Sequence, residues 1–103
     1  MKIIHLLDSN AEPQDAVRKL AEEFGLRVTS DGRLRTYPGS SHWHLKRGQE
    51  AGTLEVTHWP QKNRVWVSYH TNRATVWVME MARLFAQALA EHLGGHIGEP
   101  WTD

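Results

Sequence analysis

The sequence predicts an α+β domain, an antiparallel sheet with two helices packed on one face. Three observations carry that prediction. Residues 42–70 read as three runs of alternating apolar and polar side chains, separated by two turn-like breaks, the pattern of a three-stranded meander. Residues 11–24 and 73–93 instead repeat apolar side chains at helical spacing. Finally, 103 residues without a cysteine suit a single domain with one core, residues 1–103, held by packing alone.

In chain order, Lys2 to Leu7 is a short strand whose apolar residues are too continuous to show which face is buried. Asp8-Ser9-Asn10 offers capping chemistry. With Asn10 as N-cap, Pro13 falls in the first turn, where its missing N–H is harmless. Ala16, Val17, Leu20, Ala21 and Phe24 form the buried stripe of the first helix, and Gly25 ends it. Leu26 and Val28 then alternate with Arg27 and Thr29, Ser30-Asp31-Gly32 carries turn chemistry, and Leu34 resumes the alternation. This is a small hairpin or a strand that bends. Tyr37-Pro38-Gly39-Ser40-Ser41 is a loop by composition.

The meander fixes a polar face. Successive strand side chains point to opposite sides, so Trp43 and Leu45 oppose His42, His44 and Lys46. Leu54 and Val56 oppose Glu55, Thr57 and Trp59, and Val65, Val67 and Tyr69 oppose Trp66, Ser68 and His70. The register that gathers the apolar sets pairs Val56 with Val67, which puts Glu55 across from Ser68 and Thr57 across from Trp66. The same logic sets His44 beside Glu55 and His42 beside Thr57. A slip of one residue would reverse the face of the last strand. Pro60 to Asn63 makes the hairpin loop, and His58 falls on the Val56 side.

The second helix is capped by Thr71 or Asn72 and stopped by Gly94-Gly95, leaving 94–103 as an irregular tail with Trp101 as its anchor. Its polar arc of Glu80, Arg83, Gln87 and Glu91 is narrow. The apolar remainder is wider than one packed face requires, with Trp77, Met81, Leu84 and Ala88 at one edge. Helix, three strands, helix resembles the double-stranded-RNA-binding domain in element order. That module's lysine cluster at the start of the second helix is absent from Thr71-Asn72-Arg73-Ala74-Thr75, so no residue role carries over.

Several function classes drop out. The apolar runs are too short to span a bilayer, the N-terminus lacks the long apolar region of a signal peptide, and a soluble cytoplasmic protein is expected. There is no thiol nucleophile, and Gly39 stands alone without a phosphate-cradling Gly-Lys-Ser/Thr. The net charge of zero hides a basic middle, with eight bases against three acids between Leu26 and Arg73.

Three readings compete for the polar face, whose candidate ligand-binding residues are His42, His44, Lys46, Glu55, Trp59, Trp66, Ser68 and His70. The leading one is a non-enzymatic interaction module of unknown ligand, without cofactor, that self-associates as a homodimer through Trp66 or the Trp77 edge. A second uses Trp59 and Trp66 as stacking platforms beside Lys46, Arg64 and Arg73 to bind nucleic acid or another anion. A third is a metal-dependent enzyme in which His42 and His44, with Glu55 or His70, hold an ion.

Overall fold

A computed structural model describes residues 1–9 and 11–98. Among the described residues six strands form one antiparallel sheet: β1 (Lys2–Leu7), β2 (Arg27–Gly32), β3 (Ser41–Lys46), β4 (Leu54–Trp59), β5 (Arg64–Tyr69) and β6 (His96–Gly98). Two helices accompany it, α1 (Gln14–Glu23) and α2 (Val76–His92). The fold is α+β, as the periodicities predict. The sheet order is β2-β3-β4-β5-β1-β6, so four consecutive strands meander and the first strand then closes against the fourth of them.

The register within the sheet follows the hydrophobic pattern. Val56 lies opposite both Trp43 and Val67, Glu55 opposite His44 and Ser68, and Thr57 opposite His42 and Trp66. No slip occurs, because a one-residue shift would move Val56 and Val67 out of the core. On the apolar side Ile4, Leu6, Trp43, Leu45, Leu54, Val56, Val65 and Val67 meet Val17 and Leu20 of α1 and Val78, Phe85 and Leu89 of α2. Ala82, Ala86 and Ala90 are buried on α2 and carry little bulk, which lets the helix lie close to the core.

Several local expectations are corrected. The N-cap position of α1 is Pro13, whose carbonyl accepts the Val17 N–H, and Asn10 lies outside the described residues. Gly25 sits one place beyond the C-cap Phe24 at φ 71°. Its N–H donates to the Glu22 carbonyl while Leu26 N–H reaches Ala21, the paired closure that a left-handed residue permits. Ser30-Asp31-Gly32 is no turn. These residues belong to β2, which shifts register at Thr29 and continues along His44, Trp43 and His42, so the bending-strand alternative holds.

α2 begins at Val76 rather than near Asn72, because Thr71–Arg73 forms a separate 3₁₀ turn and Ala74 is extended. The expected irregular tail opens with β6, which pairs with β1 and is too short for a sequence period to reveal. Trp101 lies outside the described residues. No helix among the described residues is long and apolar enough to cross a membrane.

The width of the apolar arc on α2 also has an internal explanation. Trp77 is buried, donates its Nε1–H to the Ala51 carbonyl at 2.8 Å, and lies under the Arg47 guanidinium. The β3–β4 connection therefore covers it. Gly52 is held in that connection at φ 99°, and a Cβ there would press on Thr75 and Val78.

A cleft where three histidines converge on one glutamate

The polar side of the sheet divides into two regions. At one end the loop 33–40 folds back over the strands. Tyr37 meets Trp59 and Trp66 edge-on, with ring centroids 4.9 and 5.0 Å apart, and Trp59 Nε1–H donates to the Pro38 carbonyl. Ser40, fully buried, accepts the Leu34 N–H through its hydroxyl and an Arg33 N–H through its carbonyl. Trp66 is only 6 % exposed as a result. This overturns the idea of an open aromatic face. Trp66 belongs to a second small core, Trp59 is half-buried at its edge, and neither stands free to stack on a ligand.

At the other end the face opens into a cleft of about 570 Å³. Its floor is the β3–β4 ladder, and its walls come from β2, the start of the 33–40 loop, Gly52 and Thr53 before β4, and the segment from His70 to Arg73 before α2. Glu55 is the centre. His42 and His44 stand on the same face of β3 with rings 5.0 Å apart, and His70 follows the end of β5. His42 Nε2 lies 2.9 Å from Glu55 Oε1, His44 Nε2 lies 3.5 Å from the same oxygen, and His70 Nε2 lies 3.3 Å from Oε2. His42 is anchored from behind, its Nδ1 2.7 Å from the hydroxyl of fully buried Thr57.

Exposure is graded across this group. The His42 and Glu55 side chains are 11 % and 9 % exposed, while His44 and His70 reach 40 % and 39 % at the mouth. The His42 hydrogen bond, helped by the charges of the three imidazoles, holds the Glu55 carboxyl below the usual carboxylate range despite its burial. Burial lowers the His44 pKa, and His42, His70 and Lys46 push the same way against the opposing pull of Glu55. A buried carboxylate is thus kept ionised by partners that the strand register puts beside it.

Of the residues expected to form a site, His42, His44, Lys46, Glu55 and His70 come together in the cleft. Trp59 and Trp66 do not. Ser68 is buried under the face beside Glu55 and does not line the cleft, so it stands apart from the group. Arg33, which sequence reasoning missed, also lines the cleft, as does Arg73, which the anion-binding reading had set beside the face. Each sits outside a regular strand, where alternation says nothing of side-chain direction. Among comparisons with known proteins, no family model, curated protein or solved structure matches the chain.

Proposed function

We propose that the protein is a small binding module whose ligand is a compact oxyanion, a molecule presenting a phosphate-like or carboxylate group to the cleft. The observation that supports this reading is the charge of the lining. Arg33, Lys46 and Arg73 surround it, and its single acid, Glu55, already faces three imidazoles. A concave, low-dielectric site with an excess of cationic donors concentrates anions and rewards charge-assisted hydrogen bonds. The guanidinium groups offer paired N–H donors, and His44 and His70 offer ring nitrogens at the mouth.

A long nucleic-acid strand fits this surface less well. Stacking needs exposed aromatic faces, and Trp59 and Trp66 are engaged with Tyr37. A single small anion needs none.

The test is titration of the protein with methylphosphonate and, separately, with acetate, followed by amide chemical shifts. Saturable shifts confined to β3, the 33–35 segment and residues 70–73 are expected with at least one of them, and the preferred anion identifies the group. Lys46→Ala or Arg73→Ala should weaken that binding about tenfold, equivalent to about 1.4 kcal/mol. Absence of saturable shifts with either anion at millimolar concentration overturns the reading.

A further inference from the structure

The donor set of the cleft suits more than an anion. Zinc-like ions take imidazole nitrogens and carboxylate oxygens at about 2.0–2.2 Å, which places two donors of one tetrahedral ion about 3.3 Å apart. The separations of His42 Nε2 and His44 Nε2 from Glu55 Oε1, 2.9 and 3.5 Å, fall around that value, and one ligand atom from each of these three residues lies within 4.8 Å of the others. Imidazole in this proportion to carboxylate favours borderline transition-metal ions over magnesium or calcium, which take oxygen ligands.

A second observation points the same way. Metal-bound histidines characteristically give their other ring N–H to a fixed acceptor, which sets the tautomer and aims the ligating nitrogen. His42 has such a partner in Thr57 Oγ1, which belongs to the neighbouring strand and is wholly buried. With Nδ1–H donating to Thr57, Nε2 faces the Glu55 oxygen, and either a proton or a metal ion between them satisfies both. The opposite tautomer, with Nε2–H donating to Glu55, satisfies the same pair without an ion.

We propose that the cleft binds one divalent transition-metal ion through His42 Nε2, His44 Nε2 and Glu55 Oε1, with the fourth position open at the mouth and His70 holding the other carboxylate oxygen. Glu55 neutralises only half of the ion's charge. The remainder lies among Arg33, Lys46 and Arg73, which repel it unless an anion enters with it. Metal and oxyanion therefore bind cooperatively, each raising the affinity of the other by the same factor. This coupling rests on the oxyanion reading of the cleft, whereas the metal site itself rests on the side-chain geometry.

The test uses the 103-residue chain, chelator-treated, returned to metal-free buffer and titrated with cobalt(II). Binding is followed by calorimetry and by the visible bands of coordinated cobalt. One equivalent should bind, and methylphosphonate should shift the bands and tighten cobalt binding by about fivefold or more. Coordinated cobalt should also broaden the phosphorus resonance of the bound phosphonate. His44→Ala should abolish the one-equivalent site, and Thr57→Val should weaken it by about 10–100-fold. Thermal melts establish that both variants fold, and the half-open position of His44 makes its removal tolerable. If the parent binds no saturable equivalent, or His44→Ala binds as tightly as the parent, the metal site is overturned. Methylphosphonate binding without cobalt binding removes the metal and leaves the oxyanion reading standing. Cobalt binding lost in His44→Ala but indifferent to both methylphosphonate and acetate keeps the metal and removes the coupling, while the anion titration alone decides the oxyanion reading.

Discussion

His58 and Glu55 stand three residues apart on β4, on opposite faces of the sheet, and their environments treat charge in opposite ways. Glu55 is buried among groups that favour its ionised form. His58 lies on the core side between Ser41 and Val65, 6 % exposed, and its Nδ1 has no hydrogen-bond partner among the described residues. Burial lowers its pKa below the ordinary imidazole value of 6.5, with Glu12 pulling weakly the other way. The folded protein thus keeps His58 neutral while the unfolded chain takes up a proton first as pH falls. Its contribution to stability is complete above about pH 6.5 and is lost as pH drops through the lowered folded value. His5, lowered by burial and by Arg64, adds in the same direction. The melting temperature should fall between about pH 7 and pH 5, and less steeply in His58→Gln. Parallel curves for parent and variant would place the pH dependence elsewhere.

Among the elements, the 33–40 loop couples fold to function. It has no strand or helix of its own, yet it covers Trp66 through Tyr37 and lends Arg33 to the cleft wall. Its anchors are two edge-on aromatic pairs and the hydrogen bonds around Ser40 and Pro38. Such pairs contribute about 0.5–1.5 kcal/mol each beyond the area they bury, so Tyr37→Ala should destabilise the protein by about 1–3 kcal/mol. Tryptophan emission should shift to the red as Trp59 and Trp66 gain water. Because the loop also positions Arg33, methylphosphonate affinity should drop in the same variant. Unchanged emission would mean that the loop does not cover the aromatic pair.

For the whole molecule, two cores on opposite sides of one sheet alter the case for self-association. The aromatic anchors suggested for a dimer, Trp66 and Trp77, are 6 % and 4 % exposed within a single chain. Val76, Met79 and Leu84 do remain exposed on α2. However, Met79 and Leu84 lie on opposite sides of the exposed polar arc of Glu80, Arg83 and Gln87, which separates them. Light scattering at tens of micromolar should therefore give the monomer mass. A dimer mass would return the interface to the flanks of that arc.

What the sequence determined by itself is the α+β class, the two helical stripes and the register of β3, β4 and β5. Side-chain period excludes every odd shift, which would take Trp43, Val56 or Val67 off the common side, and the short Pro60–Asn63 connection sets the pairing of β4 with β5. That alignment already placed His42, His44 and Glu55 on one face and brought His70 to the same region. Tertiary structure decided which part of the face is open. Whether Trp66 is a binding platform or a core residue depends on where the 33–40 loop lands, and an irregular loop carries no periodic signal. The same is true of Arg33 and Arg73, which reach the cleft from a loop and a 3₁₀ turn. β6 also needed the fold, since a three-residue strand is specified by the edge of β1 waiting beside it. Local periodicity encodes which side chains share a surface, and only long-range packing determines what covers that surface.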